Sequence, residues 1–158
     1  MRCAVLTVSD TRTPETDVGG PLIEKFLVKA GHVCAVKAIV RDEPAAIGLQ
    51  IRGWLDDRSI QAILITGGTG ISQRDTTIEV VRRFLSVELD GFGELFRMLS
   101  YEQVKAAAMM SRAVAGLANT DGRGTFIFAM PGSPNAVETA MSKLIAPQLA
   151  HLVWERRR

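Results

Sequence analysis

A chain of 158 residues, 47% hydrophobic and 23% charged, is long enough to bury one core over residues 1–158 and too apolar for intrinsic disorder. Its formal net charge of +2 excludes the strongly basic balance of nucleic-acid binders, and no uninterrupted apolar run reaches membrane-spanning length. The opening MRCAVLTVSD runs straight into a strand-like pattern with no signal-type apolar region, so a cytoplasmic protein with neither membrane nor nucleic-acid partners is expected.

Residues 3–8 form a continuous apolar run that stops at Ser9-Asp10-Thr11, as a buried strand stops in a loop. Over 19–30 the spacing of Leu22, Ile23, Phe26, Leu27 and Ala30 predicts a helix, closed by Gly31. Residues 33–40 read as a second strand, and Pro44 opens a helix with Ile47, Ile51, Trp54 and Leu55 on its apolar face. A third strand over 62–65 enters Thr66-Gly67-Gly68-Thr69-Gly70, and a helix carrying Ile78, Val81 and Leu85 starts near Asp75. The stretch 91–109 reads as helical, crowded with Phe92, Leu95, Phe96 and Leu99, a cluster suited equally to core packing and to a subunit contact. Residues 125–130 form a last buried strand, followed by Pro131-Gly132-Ser133-Pro134 and a C-terminal helix interrupted at Pro147. The terminal Arg156-Arg157-Arg158 reads as a solvated tail.

Strands alternating with helices imply an α/β fold, with a mostly parallel sheet between two helical layers. Ligands of such sheets gather at the carboxyl ends of the strands. Here those ends are Ser9-Asp10, Arg41-Asp42, the TGGTG loop and the PGSP loop. Cys3 and Cys34 lie in apolar runs without metal-binding spacing and read as buried free thiols. His32 and His151 have no nucleophile in a neighbouring loop, which argues against a histidine-based triad.

The TGGTG loop follows a strand and precedes a helix, an arrangement that lets backbone N–H groups and a helix dipole hold an anion. It is neither a P-loop nor a GxGxxG fingerprint, and a glycine turn is the plainer alternative. Asp75 reads either as a helix cap or as a carboxylate placed to hold Mg²⁺ beside a phosphate. Asp42 reads from spacing as a turn residue ahead of Pro44, with a second metal ligand as the alternative. Ser9 and Asp10 suit a ligand contact or a side-chain turn. The PGSP loop repeats the strand–glycine–hydroxyl–helix order, so the residues alone point to a phosphate-handling α/β domain assisted by Mg²⁺.

Six segments in order carry a resemblance: TVSD (7–10), ITGGTG (65–70), QRDTT (73–77), GFGELFRMLSYE (91–102), SRAVAGLAN (111–119) and FAMPGSPNAV (128–137). Together they resemble the molybdopterin-binding family in its small single-domain form, the B-type and Mog-type proteins of molybdenum-cofactor biosynthesis. The resemblance implies a three-layer α/β/α fold, assembly as a homotrimer or homohexamer, and transfer of AMP from ATP to the terminal phosphate of molybdopterin. It also implies that Asp75 and Asp42 are needed for catalysis with Mg²⁺. Gly67, Gly68, Thr69, Gly70, Gly132 and Ser133 would contact the ligand, Ser9 and Asp10 would share the rim, and Glu94 would join the pocket. The 73–79 region departs from the related proteins in lacking a proline after the site aspartate. The alternative within the same pathway is a molybdopterin carrier without chemistry on ATP.

Overall fold

Every residue of the first strand, β1 (Arg2–Val8), from Cys3 onward is buried, because the strand lies inside the sheet with helices over both faces. Alternation then divides its side chains. Cys3 and Val5 enter one apolar cluster and Ala4, Leu6 and Val8 the other. This computed structural model describes residues 1–118, 122 and 124–157; Asn119, closing the SRAVAGLAN segment, and Arg158 of the basic tail lie outside the described residues.

The chain continues through α1 (Gly19–Lys29), β2 (Val33–Val40), α2 (Pro44–Asp56), β3 (Ala62–Thr66), α3 (Thr77–Arg82), β4 (Val87–Glu88) and α4 (Asp90–Val104). A 3₁₀ segment, Lys105–Met110, leads to β5 (Val114–Ala118) and β6 (Thr125–Met130). Then α5 (Pro134–Thr139), a π-helical segment Ala140–Ile145 and α6 (Ala146–Arg157) follow without a break. The sheet order is β2-β1-β3-β6-β5-β4. β2, β1, β3 and β6 are parallel, whereas β5 runs antiparallel to β6 and β4 antiparallel to β5.

One face of the sheet packs Val5, Leu64, Phe126 and Phe128 against Ile23 and Leu27 of α1, Phe92 and Phe96 of α4, and Met141, Ile145 and Leu149 of the C-terminal helix. The other packs Leu6, Ile63, Ile65 and Ile127 against Ile47, Ile51 and Trp54 of α2 and Ile78 and Val81 of α3. The expected mostly parallel sheet between two helical layers is the observed architecture.

Register fixes where loops can meet. Thr7 of β1 pairs with Thr66 of β3, Thr66 with Met130 of β6, and Val8 with Val40 of β2. The four strands therefore end level, and the loops that begin at Ser9, Arg41, Gly67 and Pro131 open on one edge. From β1 the chain first moves outward to β2 and then returns past β1 to β3. The crevice between β1 and β3 is thus a topological switch point, where open α/β sheets hold ligands.

Several expectations change. The helix after TGGTG starts at Thr77 rather than Asp75 and stops at Arg82, leaving Leu85 outside it. β4 and β5 are additional strands; VAGLA lacks bulky alternation, and Gly116 lies so close to Val87 O that a Cβ there would collide with it. The helical stretch 91–109 divides at Lys105, which has a positive φ of 53°. Its apolar cluster divides too: Phe92 and Phe96 stack within the core, whereas Leu95 is exposed and Leu99 half-buried. The C-terminal irregularity is the π segment, and Pro147 is the second residue of the helix after it. Proline's missing N–H deprives the preceding turn of a bond, which a wider turn accommodates. Cys3 is buried as expected, but Cys34 on the edge strand is only half-buried.

Candidate functional site

The TGGTG loop is built around two glycines with positive φ, Gly67 at 96° and Gly68 at 62°. A Cβ at Gly67 would collide with the Val8 carbonyl oxygen, and one at Gly68 with Thr77 Oγ1 and Asp42 Oδ2. Both positions thus require glycine for conformation and for space. The loop is also locked to the PGSP loop: Gly67 N–H donates to Met130 O at 3.1 Å and Thr66 Oγ1 to Pro131 O at 3.2 Å. A Cβ on Gly132 would lie 3.2 Å from Gly67 Cα, so the two loops touch backbone to backbone. Ser133 caps α5, its Oγ accepting from Ala136 N–H at 3.3 Å. Among the described residues, the N–H groups of Gly68, Thr69 and Gly70 form no hydrogen bond within the chain, and they remain donors for an anion.

Three carboxylates converge on this loop from three connections. Asp42 Oδ1 accepts from Thr76 N–H at 3.1 Å and Thr76 Oγ1 at 2.9 Å, so the residue after β2 holds the start of α3. Asp10 Oδ1 accepts from Asp42 N–H at 3.3 Å, and its Oδ2 pairs with Arg74 at 2.8 Å. Asp75 Oδ2 accepts from Ser72 N–H at 2.8 Å and would lie 2.6 Å from a Cβ on Gly70. Partial burial pushes the Asp42 carboxyl above its ordinary range; the Thr76 bonds oppose this, while the Asp75 and Asp10 charges add to it. The simple turn reading of Asp42 therefore gives way to a half-buried carboxylate bound to two other loops. Asp75 does not cap α3, because Thr76 occupies the N-cap position and Asp75 folds back on its own turn.

The fit to Mg²⁺ can be judged from these atoms. Thr77 Oγ1 is fully buried with no hydrogen-bond partner, and it faces the space at Gly68 together with Asp42 Oδ2. Crowded carboxylates beside an unpartnered hydroxyl suit a hard cation. Among the described residues no three acidic, histidine or cysteine side chains gather into a metal cage. Mg²⁺ has no need of one, since it takes one or two carboxylates and completes its shell with water and substrate phosphates.

The crevice at the switch point has a volume of about 130 Å³ and lies among Thr7, Ser9, Arg12, Thr66, Gly67 and Gly132. A larger cleft of about 630 Å³ adjoins it beneath residues 9–17, reaching Lys37 and Arg41 of the β2 side. Ser9 Oγ accepts from Arg12 N–H at 3.1 Å and Thr11 N–H at 3.3 Å, so its hydroxyl closes a turn while facing the crevice. Asp17 accepts from Thr7 Oγ1 at 2.8 Å and Gly20 N–H at 3.2 Å, anchoring the same loop to β1 and α1. Glu94 is exposed on α4, and no hydrogen bond or ion pair among the described residues joins it to the loops.

Arg112 escaped the sequence reading. It lies just before β5, and its guanidinium donates through Nε to Thr69 O at 3.0 Å. Nη2 reaches Gly70 O at 2.6 Å and Asp75 O at 3.0 Å, and Nη1 pairs with Glu79. Asp17 was likewise unread, and Thr76 and Thr77 entered only within the QRDTT segment, as residues suited to a helix start. Each is an ordinary polar residue whose partners become visible only in the fold.

Comparisons with known proteins agree with this architecture. Residues 4–151 match the family described as "Probable molybdopterin binding domain". The chain is 50% identical over 159 residues to molybdenum cofactor biosynthesis protein B of Bacillus subtilis (strain 168), covering 100% of this chain and 91% of that protein. A crystal structure of a molybdenum cofactor biosynthesis protein B superposes with a TM-score of 0.93 at 45% identity, covering 99% of this chain and 96% of the other. The tungsten cofactor synthesizing protein MoaB from Pyrococcus furiosus superposes at 0.86 with 36% identity, covering 99% and 97%.

Proposed function

This chain belongs to the molybdopterin-binding family of molybdenum-cofactor biosynthesis proteins, and from that premise we propose that it is a Mg²⁺-dependent molybdopterin adenylyltransferase. ATP and molybdopterin are its substrates. A terminal phosphate oxygen of molybdopterin attacks the α-phosphorus of ATP in line, the bond to the bridging oxygen breaks, and pyrophosphate leaves. The observation that carries the reading is the meeting of Asp42 and the orphaned Thr77 hydroxyl at Gly68, and of Asp75 at Gly70, on a loop whose N–H groups are free and whose Gly67 lines the switch-point crevice.

In this reading the N–H groups of Gly68, Thr69 and Gly70 hold phosphate oxygens, while Gly67, Gly132 and Ser133 keep the two loops in contact around the ligand. Ser9 and Asp10 line the rim on the side of the larger cleft. Asp42 and Asp75 would hold Mg²⁺, which offsets phosphate charge when bound. Catalysis comes from alignment of the reacting groups and from preorganised donors, without a covalent enzyme intermediate. Self-association as a trimer or hexamer is part of the proposal, with the exposed Leu95, Met98 and Tyr101 of α4 as the apolar surface offered.

The test is pyrophosphate release by purified protein with Mg-ATP and molybdopterin, beside Asp75→Asn. The variant should lose at least about tenfold in turnover with folding intact. Near-normal turnover would remove Asp75 from the metal site. No release by the wild type, with molybdopterin still bound, would leave a carrier.

A further inference from the structure

The loop 71–74 is fully exposed and has no apolar anchor, since Ile71 itself is 72% exposed. Its shape must be imposed by polar contacts. Local ones close the turn: Asp75 N–H donates to Ser72 O, and Ser72 N–H to Asp75 Oδ2. They do not tie the turn to the rest of the molecule. Arg74 makes one such tie, to Asp10, and Arg112, about forty residues away in the chain, holds the two ends of the loop together.

We infer that Arg112 is a positioning residue of the candidate site, a clamp that presents the 69–75 segment to the ligand. Its planar guanidinium spans both sides of the loop, taking Thr69 O and Gly70 O on the entering strand and Asp75 O on the leaving one. With their carbonyls drawn to Arg112, the N–H groups of Thr69 and Gly70 are left for the ligand face. Fixing Asp75 O fixes the backbone from which its carboxylate projects. Glu79 of α3 completes the arrangement by pairing with the remaining nitrogen. Four of the five guanidinium N–H donors of Arg112 are engaged within the chain, which commits the side chain to holding the loop.

Lysine cannot replace this fork, since a single ammonium cannot reach three carbonyls and a carboxylate in fixed directions. Loss of the clamp should therefore weaken nucleotide binding even where the fold and charge survive. The kinetic part rests on the adenylyl-transfer reading; the geometric part does not.

The experiment compares wild type, R112K and E79Q in pyrophosphate release over a range of Mg-ATP, and in amide hydrogen exchange. R112K should raise KM for Mg-ATP by about tenfold or more and E79Q by about threefold, because uniform binding is lost. Exchange should quicken over 69–75 in R112K and stay unchanged in β1, β3 and β6. A merely structural role would reduce the folded fraction, lowering kcat and leaving KM alone. That result, or unchanged exchange over 69–75, overturns the assignment. Absence of pyrophosphate release in the wild type would overturn adenylyl transfer instead, and the exchange pattern alone would then decide the role of Arg112.

Discussion

Replacing Gly68 by alanine attacks the site and the fold at one atom. The residue has φ +62°, where an L side chain costs roughly 1–2 kcal/mol. The added methyl group would also meet Thr77 Oγ1 and Asp42 Oδ2. Neither neighbour yields freely, because Thr77 is fully buried in α3 and Asp42 is tied to Thr76 by two hydrogen bonds. Overpacking of this kind adds about 1–3 kcal/mol. A loss of about 3 kcal/mol is expected, which for a chain of this size lowers Tm by about 6–12 °C. Gly48→Ala is the control, since Gly48 lies inside α2 and its nearest neighbours to a Cβ are Val80 at 3.9 Å and Phe84 at 4.0 Å. Helix propensity predicts a gain of about 0.5–1 kcal/mol there. Urea denaturation of both variants measures the difference directly. A Gly68→Ala loss below about 0.5 kcal/mol would refute the reasoning, because it would mean that Asp42 and Thr77 do not crowd this glycine.

Asp42→Asn tests the carboxylate cluster through pH. The folded surroundings raise the carboxyl's pKa, so its favourable contribution is present at acid pH and is lost as pH rises through the folded value. At pH 7 without Mg²⁺ the asparagine variant should melt higher than wild type, with the gap closing towards about pH 4. Equal melting at pH 7 would show that the cluster is not strained. Thiol chemistry should separate the two cysteines: Cys3 is pushed up to about 12 by burial and should resist a disulfide reagent in the native protein. Cys34, half-buried, should react slowly, and both should react in denaturant. Rapid native labelling of Cys3 would contradict its placement inside β1. Phe96→Ala should cost about 3–5 kcal/mol in denaturant unfolding, because a fully buried ring stacked beside Phe92 leaves a cavity. A loss below about 1 kcal/mol would mean that this side of the core can collapse.

The parallel part of the sheet was legible in the sequence because β1, β3 and β6 are buried on both faces, and the half-buried edge strand β2 is still mostly apolar. Residues 33–40 and 125–130 read as apolar runs bounded by turn residues and became β2 and β6 with those bounds. The four ligand-edge loops were legible for the same reason, since each begins where such a run stops. β5 was not, because VAGLA is a short apolar run with few β-branched or aromatic residues and a central glycine, which its close approach to Val87 O requires. The helix start at Thr77 was hidden because Asp75 and Thr76 both suit a cap, and only the bond from Asp42 shows which turn is helical.

Residue chemistry and order along the chain thus determined the α/β class, the level row of loops and the glycine–aspartate candidates. The tertiary structure decided what each side chain does. Asp42 reads from its neighbours as a turn residue, yet packing carries it to Thr76 and Gly68, about thirty residues away. Arg112 carries no local signature, because its three carbonyl acceptors exist as a set only after β5 has been laid against the sheet. Local sequence encodes backbone preference and hydrophobic period, which act over a few residues. Convergence of groups distant in the chain depends on register and layer packing, and these form only when the whole sheet is assembled.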